Sequence, residues 1–124
     1  MTAPNIVNVG TITGKTLYED NIGTSASSIV INTAGSGKVF KINSLIIANI
    51  DGSSAADITV TLRNSTSSAL LTTLAHTISV PADATLVVIS KDTSIYLEEE
   101  QALYLQASAA SDLSATCSFE EISE

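Results

Sequence analysis

The chain of 124 residues contains no tryptophan, a single cysteine and only two prolines, and aromatic residues make up 4% of it. Because Cys117 is the single cysteine, no intrachain disulfide can form. Pro81 follows an alternating apolar segment and is expected to end a strand there, since proline cannot donate a hydrogen bond to a β-ladder. We therefore expect a core made mainly of aliphatic side chains, without an intrachain disulfide.

Basic residues are also few: five Lys and Arg stand against thirteen Asp and Glu, which gives a formal net charge of −8. A surface that coats DNA or RNA needs clustered basic side chains to displace counterions, and these five are scattered. We therefore expect no nucleic-acid partner. The segment from residue 92 to the last residue holds acidic residues and no Lys or Arg, which favours a solubilising surface, with a basic neighbour as the alternative.

Long apolar runs are missing as well. The longest, residues 45–48 and 86–89, are far shorter than the about 20 apolar residues that a membrane-spanning helix needs. The first five residues carry neither a basic nor an apolar region, so no secretory signal is indicated. We expect no membrane partner, and a location in a cytoplasm or in a particle assembled there.

The chain is rich in serine, threonine and aliphatic residues. Branching at Cβ favours the pleated backbone of strands, and Ser and Thr compete for backbone hydrogen bonds inside helices. Apolar and polar residues alternate most clearly where Ile58, Val60 and Leu62 point to one side. Residues 67–76 fit a helix or a strand, and we favour the strand. The other predicted strands are residues 7–14, 28–32, 39–50, 74–80, 86–89, 95–97, 103–109 and 113–119.

Eight or nine strands at short intervals predict an all-β fold, an antiparallel β-sandwich of jelly-roll or immunoglobulin-like type. The length suits one domain over residues 1–124. Its ends, residues 1–5 and 120–124, are expected to extend as arms that can add strands to the sheet of a neighbour.

Three polar segments resemble ligand-binding motifs but fit turns better. Residues 35–38 (GSGK) resemble the end of a phosphate-binding loop, yet lack its first glycine, its final Ser or Thr and its helix. Asp51 and Asp57 match no calcium-loop spacing, so we interpret their segment as a hairpin connection. Residues 98–100, three glutamates, predict a solvated tip, with a cation site or a basic partner as the alternative.

No combination of residues predicts an active site, and we expect neither a catalytic nor a cofactor nor a metal site. His76, the single histidine, lies on the apolar side of its predicted strand, which favours a core or interface residue over a catalytic base. Cys117 shares the side of Phe119 and is interpreted as a small core residue. Residues 64–66 match a glycosylation sequon, which without a secretory signal indicates a polar loop.

Several stretches resemble small virion structural proteins of tailed bacteriophages, especially those that infect cyanobacteria. They are residues 3–9 (APNIVNV) with 14–16, residues 38–45 (KVFKINSL) with 49–52 (NIDG), and residues 80–89 (VPADATLVVI) with 96–99 and 118–122 (SFEEI).

The resemblance implies a β-sandwich component of the particle, most often a capsid cement or decoration protein, and no catalytic residues. It implies other virion proteins as partners, the major capsid protein above all, a homotrimer or higher oligomer, and a location in the virion. The alternative is a neck, baseplate or fibre component with a receptor- or glycan-binding role, for which Tyr18, Tyr96 and Tyr104 are the aromatic candidates.

Overall fold

The computed structural model describes residues 9–124, which form nine β-strands and one short 3₁₀ turn. Within residues 9–124, no helix is long and apolar enough to cross a membrane. The strands are β1 (Thr11–Glu19), β2 (Ser27–Asn32), β3 (Lys38–Asn49), β4 (Ala56–Asn64), β5 (Leu70–Val80), β6 (Thr85–Ile89), β7 (Ile95–Leu97), β8 (Gln101–Ala107) and β9 (Leu113–Ser123).

The strands form two antiparallel sheets packed face to face. The first sheet has the order β1-β9-β3-β6, and β7 pairs with the other half of β3, next to β6. The second sheet has the order β2-β8-β4-β5. At one side of the sandwich β1 contacts β2, and at the other side β5 contacts β6. The predicted all-β sandwich is therefore confirmed.

The strand order identifies the sandwich as a jelly roll. Along the chain, successive strands switch between the sheets, except that β4 and β5 share the second sheet and β6 and β7 share the first. This alternation produces two Greek keys of four strands each when β6 and β7 are counted as one interrupted strand. In an immunoglobulin-like sandwich the first two strands lie in the same sheet, whereas here β1 and β2 lie in different sheets.

The core lies between the sheets and is almost purely aliphatic, as the composition requires. The rings of Phe40 and Phe119 are its only aromatic pair among the described residues, with centroids 5.2 Å apart. Each fully buried aliphatic side chain contributes about 1.5–3 kcal/mol of stability. The largest of them are Ile22, Ile42, Leu45, Ile47, Ile58, Leu97, Leu103, Leu105 and Leu113.

Two predicted features differ in the structure, and a third lies outside the described residues. The first strand runs over Thr11–Glu19 and passes through Gly14, because at an exposed edge this glycine pairs with Glu120 without any crowding. The predicted C-terminal arm is not an arm: residues 120–123 belong to β9 and pair on both sides, with β1 and with β3. The predicted N-terminal arm, residues 1–5, lies outside the described residues.

Candidate binding surface

Strand β5 is one of the two edge strands of the second sheet, with β2 at the other edge, and carries unusual amounts of exposed aliphatic surface. Leu70 and Leu71 are 57% and 51% exposed. Leu74 and Ile78 are exposed as well. No Asp, Glu, Lys or Arg occurs within Leu70–Val80. We call this strand the β5 edge.

The pairing of the β5 edge with β4 has three register shifts, and the two after the first leave Leu74 and Leu71 without a partner on β4. The first shift is a β-bulge. Ile58 pairs with Ile78 and Val60 pairs with Ala75, so Thr59 alone stands opposite two residues of β5, namely His76 and Thr77. Thr77 has a φ of 46°, in the left-handed region that a β-branched residue rarely adopts. Its backbone N–H donates a 3.1 Å hydrogen bond to Oγ1 of Thr59, which holds the bulge in place.

The prediction that His76 is a core residue is wrong, and the bulge explains why. The alternation of Leu74, His76, Ile78 and Val80 assumes a regular strand, and the additional residue at the bulge shifts this alternation by one position. His76 is therefore exposed beside the outer face of the second sheet. An interface role for this side chain stays a prediction.

A shallow cavity of about 200 Å³ lies beside the bulge, on the outer face of the second sheet. Its polar lining comes from β4, β5 and the end of β8: Asp57, Thr59, His76, Thr77, Gln106 and Ser108. We call it the bulge cavity. Ser108 ties the wall together, since its hydroxyl accepts a hydrogen bond from the backbone N–H of Asp57 at 2.8 Å and its own N–H donates to the Asp57 carbonyl at 2.9 Å.

The bulge cavity presents hydrogen-bond acceptors, and its lining contains the imidazole of His76 but no Lys or Arg. Nε2 of Gln106 donates to the carbonyl of Thr24 at 2.9 Å, which leaves Oε1 of the same amide as an acceptor. Among the described residues, the ion pairs are those of Lys15 and Lys38 with Glu121, so no described basic side chain neutralises Asp57. The cavity is therefore suited to a cationic group.

The outer face of the first sheet is a second exposed surface. One row crosses all four strands of this sheet: Tyr18, Thr116, Ile46 and Val87 are successive cross-strand partners. The two ends of the row are the most exposed, Tyr18 at 76% and Val87 at 57%. The row thus ends in an exposed apolar side chain at each edge of the sheet.

A two-lysine ion pair connects three strands of the first sheet. Nζ of Lys15 (β1) and Nζ of Lys38 (β3) each donate to the carboxylate of Glu121 (β9) at 2.8 Å. These hydrogen bonds hold the pKa of Glu121 below its usual value. Glu121 thereby uses two of the five basic residues of the chain.

Asp51 and Asp112 are close enough for a hydrogen bond between their side chains. The backbone N–H and hydroxyl of Ser53 donate to Asp51 and lower its pKa, whereas partial desolvation and the charge of Asp51 raise the pKa of Asp112. Asp57 is not a member of this pair and lines the bulge cavity instead. Within residues 9–124, no group of three His, Cys, Asp or Glu side chains could hold a metal ion.

Residues 35–38, which resemble the end of a phosphate-binding loop, form a turn. Gly35 and Gly37 have φ values of 75° and 70°, which glycine adopts without steric cost, and the strand β3 begins at Lys38 where a phosphate-binding loop would need a helix. Lys38 pairs with Glu121, as described above.

The acidic tip at residues 98–100 is only partly the solvated turn that the sequence predicts. Glu98 and Glu100 are exposed, and the turn is closed by the backbone N–H of Glu98, which donates to Oε1 of Gln101 at 2.9 Å. The carboxylate oxygens of Glu99, however, are buried without a hydrogen-bond partner among the described residues. The solvated interpretation is therefore wrong for Glu99, whose carboxylate oxygens are shielded from water.

Cys117 and His76 do not form a catalytic dyad. Cys117 is fully buried in the first sheet, as predicted, and burial raises the pKa of its thiol to about 12, whereas His76 is exposed at the edge of the second sheet. The sequon at residues 64–66 lies at the end of β4, where Oδ1 of Asn64 accepts hydrogen bonds from the backbone N–H groups of Thr66 and Ser67. That side chain closes the turn into β5.

The three tyrosines that could stack on sugar rings are far apart in the fold. Tyr18 lies on β1 and Tyr96 on β7, at opposite edges of the first sheet. Tyr104 lies on β8 in the second sheet, where the guanidinium of Arg63 covers its ring at 5.3 Å and its hydroxyl is 3.0 Å from that of Ser68. The structure does not bring these rings together.

The β5 edge was missed in the sequence, although it has a signal there. Leu70 and Leu71 place apolar side chains on both sides of a strand that contains no charged residue, which is typical of a strand buried on both faces or of an interface. Only the strand order shows that β5 is an edge. Comparisons with protein-family models and with curated protein sequences find no match to this chain.

Proposed function

We propose that this protein is a structural protein of a tailed-phage virion, where it acts as a capsid cement or decoration protein that stabilises contacts between capsid subunits. Its partners are then the major capsid protein and other copies of the chain, and it catalyses no reaction. The resemblance of the quoted stretches supports the phage assignment. The physical support comes from the exposed surfaces of the sandwich.

The β5 edge is the observation that carries the proposal. Soluble proteins protect long edge strands with charged residues, proline, β-bulges or a covering segment, because a bare edge pairs with other chains. The β5 edge has register shifts in its pairing with β4 but none of the other devices among the described residues. Here the edge spans eleven residues, has no Asp, Glu, Lys or Arg and exposes four large aliphatic side chains. An acidic protein with such an edge is well suited to permanent attachment to a partner, and many copies on a symmetric lattice add avidity.

The second surface supports a cyclic homo-oligomer, with the trimer as the proposed state. Tyr18 and Val87 lie at opposite edges of the first sheet. A contact between Tyr18 of one copy and Val87 of the next joins two different patches, and such a heterologous contact closes into a ring when the rotation permits. The β5 edge belongs to the second sheet and lies on the same side of the sandwich as β6.

The test is co-sedimentation of the purified protein with phage heads, followed by a count of the bound copies per head. We expect on the order of hundreds of copies, because a capsid surface repeats its binding site at every symmetry position. Leu71→Lys places a charge on the β5 edge and is expected to abolish attachment. Ile50→Lys is the matched control, since Ile50 is equally exposed but lies outside the strands.

Absence of binding, or equal binding of the two variants, would contradict the proposal. About six to twelve copies per particle, the number expected for a symmetric ring at one vertex, would instead place the protein at the neck or baseplate. The receptor- or glycan-binding alternative has less support, because the two exposed tyrosines, Tyr18 and Tyr96, lie at opposite edges of the first sheet and Tyr104 lies in the second.

A further inference from the structure

We propose that the β5 edge and the bulge cavity together bind an extended segment of a partner protein, with one lysine or arginine side chain of that segment seated in the cavity beside Asp57. This inference rests on the proposed function, because it names the chemistry of the virion partner. It also assigns a role to Asp57, His76 and Thr77, which the fold does not need for its core.

The first half of the β5 edge provides the backbone part of the site. Residues 70–75 precede the bulge and pair with β4 on one side, with register shifts at Leu71 and Leu74, and no strand of residues 9–124 pairs with their other side. An extended segment that adds to such an edge satisfies the free backbone N–H and C=O groups, and the aliphatic side chains on both faces bury apolar surface on contact. The two adjacent leucines, Leu70 and Leu71, are both exposed and available to contact the segment.

The bulge ends this strand addition at a defined position. Because two residues of β5 stand opposite Thr59, the backbone changes direction at His76 and Thr77, and the regular ladder cannot continue past them. Backbone strain of the kind found at Thr77 clusters at binding sites, where the surrounding structure holds it. An added segment thus leaves the edge next to the bulge cavity, which lies on the outer face at this point.

The chemistry of the cavity selects a cation. Asp57 provides a carboxylate without a described counter-ion, Gln106 provides a carbonyl oxygen, and the hydroxyls of Thr77 and Ser108 provide further acceptors. A hydrogen bond between a charged donor and a carboxylate is about twice as strong as a neutral one. The net charge of −8 also attracts a basic partner during association.

The size and lining of the cavity favour one side chain over a free small molecule. Its volume of about 200 Å³ is below the about 300–1,000 Å³ of cavities that take drug-sized ligands. No Phe, Tyr or Trp ring lines it, so it lacks the large aromatic faces on which sugars stack. A single lysine or arginine side chain that enters from the β5 edge fits this small volume and needs no stacking surface.

The experiment is an NMR titration of the full-length, ¹⁵N-labelled chain with a designed peptide. The probe is an N-acetylated, C-amidated heptapeptide of sequence Thr-Val-Thr-Lys-Thr-Val-Thr, and the control peptides replace its lysine with glutamine or glutamate. We expect the lysine peptide to shift the amide signals of residues 70–75, 57 and 106–108. The glutamine peptide is expected to bind about tenfold more weakly, and the glutamate peptide more weakly still.

Asp57→Asn is expected to weaken binding of the lysine peptide about tenfold and to abolish the difference between the lysine and glutamine peptides. This variant keeps the two backbone hydrogen bonds to Ser108, so its fold is preserved. Asp92→Asn is the matched control, because Asp92 is exposed on the 3₁₀ turn and lies outside the cavity lining; it should bind like the wild type.

Equal affinity for the lysine and glutamine peptides, unchanged binding in Asp57→Asn, or signal shifts confined to other strands would overturn the inference. Shifts of the cavity residues with glucose or galactose, without any response to the lysine peptide, would overturn it in favour of a sugar site. If the wild type co-sediments with phage heads but does not respond to the peptide, only this inference fails. If it responds to the peptide but does not attach to heads, the proposed function fails instead.

Discussion

The side-chain amide of Asn49 donates a 2.9 Å hydrogen bond to the carbonyl oxygen of Val80, and so joins the end of β3 in the first sheet to the end of β5 in the second. The same amide donates to the carbonyl of Ser54 at 3.0 Å. Asn32 has the corresponding role elsewhere, with donation to the carbonyls of Lys38 and Leu97. Both amides are buried, so the two sheets are connected by polar contacts inside an aliphatic core.

We expect Asn49→Ala to lower the free energy of unfolding by about 1–3 kcal/mol, because the buried carbonyl of Val80 loses its donor. Urea denaturation followed by circular dichroism measures the loss. Asn21→Ala removes an exposed amide that bonds Ser111 and serves as the control, with an expected loss below about 1 kcal/mol. Equal losses in the two variants would show that burial of the Asn49 bond is unimportant.

The ion pairs of Glu121 predict a loss of stability in acid. Since the folded-state pKa of Glu121 lies below its usual 4.5, its contribution is present above the unfolded-state pKa and is lost as the pH falls through the folded-state pKa. Glu121→Gln should therefore lose less stability than the wild type between about pH 5 and about pH 2. Glu120→Gln, which removes a carboxylate outside both ion pairs, should keep the wild-type pH dependence of the free energy of unfolding.

Asp112 predicts the opposite pH dependence. Its folded-state pKa is raised above the usual 3.8, so the protonated form is favoured in the folded state and a penalty develops as the pH rises through the unfolded-state and then the folded-state pKa. Asp112→Asn should therefore be more stable than the wild type at pH 7 and equally stable at about pH 2. Thermal denaturation at both pH values measures this, and a destabilised variant at pH 7 would contradict the pairing with Asp51.

Thr77→Gly is expected to raise the free energy of unfolding by about 1 kcal/mol, because glycine adopts a φ of 46° without the steric cost that threonine has there. Thr72→Gly is the matched control, an exposed threonine of the same strand without positive φ, and should lower it by about 0.5–1 kcal/mol. A similar loss in both variants would show that the bulge stores no strain. Titration of the Thr77→Gly variant with the lysine peptide measures whether the bulge geometry is needed for binding.

The strands and much of the core were predictable from the sequence. Ile58, Val60 and Leu62 alternate with polar residues, and the structure places all three on the inner side of β4. Cys117 and Phe119 lie in the core as predicted. These predictions hold because the side chains of a strand alternate with a period of two, which depends only on the local backbone.

The candidate site was not predictable in the same way. Leu74 and Ile78 were assigned to an inner face together with His76, but the bulge opposite Thr59 and the position of β5 at an edge leave them exposed. A bulge depends on the register between two strands, and nothing in residues 70–80 alone sets that register. Likewise, Glu120 is in the middle of the first sheet because β1 and β3 pair with β9 on its two sides.

The sequence by itself determined that this is a β-sandwich with an aliphatic core, an acidic surface and no disulfide, since composition and a period of two are local properties. Tertiary structure alone decided that it is a jelly roll, that β5 is a bare edge and that Asp57, His76 and Thr77 meet at one cavity. The physical reason is that edges and cavities arise from strand order, and strand order is set by contacts between residues far apart in the chain.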